Sequence, residues 1–390
     1  MKFNKWTLGL AAVGAVSMAS AVRADEAKLS PLNTALSNTT ISGYVDVAAQ
    51  YNVGNPGNPA TGINTPDFPN SNPYNKVDSF NLNAVVVSID KPQDETPWAA
   101  GYHIDLNAGS DAINSLNLGG APTTGEFGVR QAYLVIRTPV GNGIDWKFGA
   151  FDGITGYEGN TSWSNPNYTR SYGYAINPDT EVGMLGTYKI IDAISVQAGI
   201  ANVASNGGAD VGLSSKSYIG AIALTAPDSW GWFKGSSLNL QTIQGFDAGS
   251  VNHYSVNGTF STPLAGLKVG LAYDKLQGLD VLNSATDGNI YGVYVTYQAT
   301  DKLSFAARGE YVDGQNLNLF GTTPANGGNN SGKGEEVTLT VEYDLWANVL
   351  SRLEVRWDHT ESGTQYGLNP GNFASDENAY MVALNLVYKF

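Results

Sequence analysis

The chain has 390 residues, with 46 Gly, 21 Tyr, 8 Trp and no Cys; 14% are charged and the formal net charge is −14. Without Cys there are no disulfides, thiolate metal sites or Cys nucleophiles. The acid surplus argues against nucleic acid as a partner, because the two surfaces would repel. No run reaches the ~18 apolar residues that a membrane-crossing helix needs. Abundant Gly, Asn, Ser and Tyr with few Lys suits many short strands joined by polar loops.

Residues 1–24 read as a secretory signal peptide. Lys2 and Lys5 give a positive start, Trp6–Val16 a short apolar run, and Val22-Arg23-Ala24 a small-x-small cleavage site. Ala19-Ser20-Ala21 is a second option for cleavage. Loss of Lys2, Lys5 and Arg23 takes the formal charge from −14 to −17. Residues 25–38 are a short polar lead-in on the periplasmic side, and 39–390 form one barrel domain.

The strand candidates follow in order. Thr39–Asn52 alternates Ile41, Gly43, Val45, Val47, Ala49 and Tyr51 against Ser42, Tyr44, Asp46, Ala48 and Gln50. This period of two marks a strand with one apolar face. After a long Asn-, Pro- and Gly-rich loop come Ser79–Asp90, Trp98–Gly109, Phe127–Thr138 and Ile144–Phe151. Then follow Glu181–Ile190, Ala193–Asn202, Lys216–Thr225, Ser236–Gly245, Asn252–Ser261 and Gly266–Lys275. The last are Asn289–Ala299, Leu303–Asp313, Glu336–Leu345, Leu350–His359 and Asn378–Phe390. Long and short connections alternate, the asymmetry of external loops and periplasmic turns in outer-membrane barrels. The expected fold is an all-β, antiparallel transmembrane barrel of about 16 strands, with 14 to 18 open.

The faces opposite the apolar ones carry charge. Arg352, Glu354, Arg356 and Asp358 alternate with Leu353, Val355 and Trp357; Arg308 and Glu310 alternate with Ala307 and Tyr311; Thr340 and Glu342 with Leu339 and Val341. An Arg or Lys facing lipid at the midplane would cost about 2–4 kcal/mol, so these residues must point inward. A barrel of about sixteen strands leaves an aqueous lumen. Arg308, Glu310, Glu342, Arg352, Glu354 and Arg356 are therefore expected to line a pore. A soluble sandwich would explain the alternation equally, but not the last strand. In Asn378–Phe390 the apolar face runs Tyr380, Val382, Leu384, Leu386, Tyr388, Phe390, with aromatics at both ends. That order fits hydrocarbon between two interfaces. It resembles the terminal strand of Gram-negative outer-membrane barrels, which end in Phe.

One connection stands apart. Asp152–Pro178 holds Tyr157, Trp163, Tyr168, Tyr172 and Tyr174 with Glu158 and Arg170. A loop so aromatic packs on something. It either folds into the pore, with Glu158, Tyr168 and Arg170 at a constriction, or forms an external lid or subunit contact. Charge at a constriction sets ion selectivity.

Ile41–Tyr51 (ISGYVDVAAQY), Gln131–Ile136 (QAYLVI), Trp146–Phe151 (WKFGAF), Gly156–Glu158 (GYE), Asn165–Tyr174 (NPNYTRSYGY) and Val182–Lys189 (VGMLGTYK) resemble the OmpL-like family of outer-membrane β-barrel porins, of the β-barrel porin-2 type. The match in order and spacing covers roughly the first half. The resemblance implies a porin-like channel and supplies neither a solute nor catalytic residues.

No HExxH, GxSxG, GxGxxG or P-loop motif is present in a fitting context, so neither metal, cofactor nor enzyme is expected. His103 and His253 fall on inward faces and His359 at a strand end. A barrel hydrolase that gathers Ser, His and Asp from separate strands stays a rival. Asp274 or Asp287 could bind Ca²⁺, although solvated carboxylates are commoner. The expected function is passive diffusion of small hydrophilic solutes and ions across the outer membrane. The alternatives are a sugar-selective channel with Tyr44 and Tyr294 as an aromatic slide, and a non-conducting adhesion or structural barrel. The expected partners are outer-membrane lipid, the solutes themselves and, by analogy with barrels of this size, two further copies in a homotrimer.

Overall fold

A computed structural model describes residues 38–53, 79–111, 127–178, 180–202, 204–205, 209–210, 216–246, 250–279, 285–315, 331–361 and 377–390. The signal-peptide reading of 1–24, nearly all of the 25–38 lead-in and most of the first long loop lie outside them.

The first seven strands are β1 (Thr40–Asn52), β2 (Ser79–Lys91), β3 (Ala100–Ala108), β4 (Gly128–Thr138), β5 (Ile144–Asp152), β6 (Thr180–Ile191) and β7 (Ile194–Asn202). Two short strands, β8 (Ala204–Ser205) and β9 (Ala209–Asp210), pair only with each other. Then come β10 (Lys216–Thr225), β11 (Ser237–Phe246), β12 (Val251–Ser261), β13 (Leu267–Leu279) and β14 (Ala285–Gln298). The last are β15 (Leu303–Gln315), β16 (Ser331–Trp346), β17 (Val349–Thr360) and β18 (Asn378–Lys389). All except β8 and β9 form one closed antiparallel barrel, β1 pairing with both β2 and β18. That is the expected sixteen-strand barrel. The β8–β9 hairpin went unpredicted because two-residue strands carry no periodicity. Strands β14 and β16 also begin earlier than their apolar alternation does, through polar, Gly-containing segments.

Alternation along each strand sorts the side chains between two solvents. In β18 Tyr380, Val382, Leu384 and Leu386 are exposed, while Met381, Ala383, Asn385 and Val387 are buried. In β17 Leu353 and Val355 are exposed against buried Arg352, Glu354 and Arg356. A water-soluble protein rarely shows an apolar exterior so continuous. In lipid it is the ordinary surface. Exposed aromatics gather toward both rims: Tyr51, Phe80, Tyr218, Tyr291 and Tyr380 toward one, Trp98, Trp230, Trp232, Trp346, Tyr388 and Phe390 toward the other. Closure gives each barrel strand a paired neighbour on both sides, with bulges at Asn83 and Arg130, and so meets the backbone hydrogen-bond demand of hydrocarbon. The terminal Phe390 takes part: its N–H donates to Gly43 O at 3.0 Å, and Gly43 N–H donates to Phe390 O at 2.9 Å.

Candidate functional site: a loop held across the lumen

The segment between β5 and β6 lies inside the barrel. It is mostly coil, with a short 3-10 turn at Ser162–Ser164 and one helical turn at Tyr172–Ala175. Local bonds shape it first. The Asn165 side chain donates to Gly159 O at 2.7 Å and accepts from Gly159 N–H at 3.0 Å, tying off one bend. Ser171 Oγ accepts from Tyr174 N–H at 2.9 Å, an N-cap for the helical turn.

Coil in a lumen leaves backbone groups to be satisfied by other means. The inner wall supplies the partners, sorted by charge. Carboxylates take the loop's N–H groups. Glu354 accepts from Thr169 N–H at 2.9 Å, Thr169 Oγ1 at 2.6 Å and Tyr168 N–H at 2.5 Å. Glu310 accepts from Tyr172 N–H and from Gly173 N–H, the latter at 3.2 Å. Guanidiniums take the loop's carbonyls. Arg308 donates to Thr169 O at 2.8 Å, Arg356 to Arg170 O at 2.6 Å and Arg352 to Ser162 O at 3.2 Å. Side-chain bonds complete the set: Tyr172 OH donates to Asp358 at 2.7 Å, and Asn167 to Thr340 Oγ1 at 2.7 Å. On other walls Ser162 Oγ donates to Asp46, and Gly156 N–H to Gln241 Oε1 at 3.2 Å. Burial pushes the Tyr157 hydroxyl up to about 12; it shares a hydrogen bond with Thr259 Oγ1 at 2.9 Å.

Each residue singled out in the sequence has a definite place. Arg308, Glu310, Arg352, Glu354 and Arg356 do point inward, but they face the loop, where an open wall would have left them against water. Arg308, Arg352, Glu354 and Arg356 are 0–1% exposed. Arg308 is the hub: it bonds Glu158 at 2.8 Å and Glu336 at 2.6 Å. Glu342 is only partly covered and accepts from Arg352 at 3.1 Å. Glu158 also accepts from Ser171 N–H at 2.8 Å. Arg170 stacks over Tyr174, 5.4 Å from its ring centre, and donates to Asn160 O at 3.1 Å. Tyr168 packs on Ala48, Ala379, Met381 and Ala383. Tyr44 and Tyr294 are both buried, and Tyr294 lies stacked against Tyr157 at 4.0 Å.

A second cluster, on β2–β5, escaped the sequence reading. His103 sits between Asp90 at 3.0 Å and Asp105 at 3.1 Å. Arg130 bonds Asp105 at 2.6 Å and approaches Asp152 at 3.4 Å. Ser88 donates to Asp105 as well, at 2.5 Å. Both ring nitrogens of His103 are thus taken up by carboxylates and Ser88 bonds an acid, so these residues do not form a Ser-His-Asp relay. The available signal was the pair His103 and Asp105, two apart and so on one face. His253 is buried with Asp274 at 3.1 Å, and Asp287 bonds Lys275 at 2.5 Å. Among the described residues no three potential His or carboxylate ligands gather as for a metal.

Residues 38–390 match the family described as "Putative beta-barrel porin-2, OmpL-like". The chain belongs to this family of outer-membrane β-barrels. Solved porins and channels share the fold with this OmpL-like porin at low identity. The outer membrane channel DcaP of Acinetobacter baumannii has a TM-score of 0.57 at 14% identity, covering 93% of this chain and 100% of that one. The anion-selective porin of Comamonas acidovorans has a TM-score of 0.56 at 10% identity, covering 90% and 99%. OmpT of Vibrio cholerae, in its trimer form, has a TM-score of 0.54 at 15% identity, covering 90% and 99%. No curated protein sequence matches the chain.

Proposed function

We propose that this OmpL-like porin lets small hydrophilic solutes and ions diffuse passively across the outer membrane of a Gram-negative cell, through a lumen narrowed by the 152–178 loop. One observation carries the reading: a coil segment is held across a closed barrel by inward side chains of both signs. Glu158, Tyr168 and Arg170 belong to the constriction. Arg308, Glu310, Arg352, Glu354 and Arg356 set its position from the wall. Glu342, Asp90 and His103, which keep part of their surface, meet the passing solute. An aromatic slide for sugars lacks support, since Tyr44 and Tyr294 present no free ring to the lumen. A homotrimer belongs to the same proposal, by likeness to the Vibrio cholerae protein in its trimer form. Purified protein in a planar bilayer should give discrete ohmic steps in KCl. A folded barrel that never conducts would instead favour an adhesion or structural role.

A further inference from the structure

We propose that three lysines on the inner wall at the short-turn end of the barrel, Lys268, Lys302 and Lys389, make the channel prefer anions such as chloride, phosphate and small carboxylates; this rests on the porin reading above. Beyond Asp152, the last residue of β5, the loop itself offers a passing ion no charge. Its Glu158 and Arg170 are only 5% and 7% exposed, and each is bonded within the sealed region. The loop residues that keep some surface, Asn160, Thr161, Trp163, Ser164 and Pro166 among them, are neutral. The β15–β17 charges that hold the loop are buried, apart from the partly covered Glu342. Ion preference therefore passes to the wall charges that water still reaches.

The three lysines come from separate strands but share one end of the barrel. Lys268 is the second residue of β13, Lys302 directly precedes β15, and Lys389 closes β18. All three lie on inward faces. Lys268 shares its face with Gly270, where the Tyr157 hydroxyl of the loop fills the place of a Cβ. Lys302 shares its face with Ser304, which donates to Glu342 at 3.4 Å. The Lys389 ammonium lies over the Trp163 ring of the loop, 4.6 Å from its centre. Lys302 is exposed and the other two are partly exposed, so water reaches them.

Their charge is answered only in part. At the same end β16 supplies one inward acid, Asp344, which interacts with both Lys389 and Lys302. Asp301 falls on the other side of the alternation from Lys302. Glu342 is already taken up by Arg352 at 3.1 Å. Among the described residues no carboxylate lies within ion-pair distance of the Lys302 or Lys389 ammonium. The Trp163 ring attracts Lys389 without cancelling its charge. Elsewhere the accessible wall comes close to balance. Asp90, Asp105 and Asp152 are matched in number by His103, Arg130 and Lys147. Lys189 pairs with Asp192 at 2.6 Å, and Arg137 with Asp145 at 2.8 Å. The positive surplus thus belongs to β13–β18. Charge of one sign between low-dielectric walls concentrates the opposite ion. At 10 mM salt the Debye length is about 30 Å, enough for that surplus to act across the lumen.

The test is the reversal potential of the full chain in planar bilayers, across a KCl gradient of about 10 mM to about 100 mM. Chloride should pass more readily than potassium by about twofold or more. The preference should fade in molar KCl, where the Debye length falls to about 3 Å. Lys302→Gln removes an exposed ammonium outside any ion pair among the described residues, so the fold is spared and the ratio should fall. Lys268→Gln, Lys302→Gln and Lys389→Gln together should bring it to unity or below. Lys234→Gln, at an exposed lysine of the β10–β11 turn, should leave it unchanged. Potassium preference in the intact chain, a ratio unmoved in the triple variant, or an equal fall on Lys234→Gln would overturn the lysine assignment while leaving the porin standing. A folded barrel without KCl conductance would overturn the porin reading and the lysine assignment together.

Discussion

The inner wall has two charged sectors, and they end in different states. On β15–β17 Arg308, Glu310, Glu336, Glu354, Arg356 and Asp358 are sealed beneath the loop and bonded to it or to one another. On β2–β5 Asp90, His103 and Asp152 keep 39%, 19% and 26% of their side-chain surface while pairing mainly within the wall. The same strand alternation places both sets inward. The first sector is structural, because it supplies a coil segment with the hydrogen bonds that a helix or sheet would have made internally. The second touches the loop only lightly, through Asp152, which accepts from Asn160 Nδ2 at 3.1 Å, and Asp90 and His103 keep part of their surface uncovered. Inward charge on a barrel strand therefore need not mean pore lining.

Substitution at the hub should separate the sectors most sharply. Arg308→Met leaves Glu158 buried without its cation and Glu336 with only the more distant Arg356 at 3.9 Å, and breaking such a pair costs about 3–5 kcal/mol. The loop should detach, seen as new protease cleavage within 155–172 and as noisy, enlarged single-channel currents. Intact protection from protease would refute the sealed description. A smaller effect is expected for Tyr172→Phe, which removes one hydrogen bond to Asp358, about 1.5–3 kcal/mol for a charged acceptor. Open-channel noise should rise with little change in mean conductance. The smallest effect belongs to the other sector. Asp90→Asn removes an accessible acid, worth about 0–1 kcal/mol in stability. It should leave the loop protected yet move the reversal potential in a salt gradient toward anions; no movement would mean that Asp90 lies off the ion path.

Much of this arrangement was legible in the sequence, for a physical reason. A period of two records which solvent each face meets, so the sixteen long strands and the inward placing of Arg352, Glu354 and Arg356 could be read directly. The aromatic loop was legible as a segment that must pack, because Tyr157, Tyr168 and Tyr172 are costly to leave bare. What stood in front of each charge was not legible. Arg308 meets Glu158 across 150 residues of chain, and Tyr168 meets Glu354 across 186. Periodicity carries no information over such distances. The His103 cluster hid because its members come from four strands, with only two same-face pairs, Ser88 with Asp90 and His103 with Asp105, sharing one.

Residues of the 152–178 loop lie in the lumen, and on the function proposed here they narrow it. Deleting Thr155 to Tyr172 and measuring single-channel conductance in KCl tests it most directly. A clear rise in conductance is expected, with the barrel still folded. Conductance equal to that of the intact chain would contradict it.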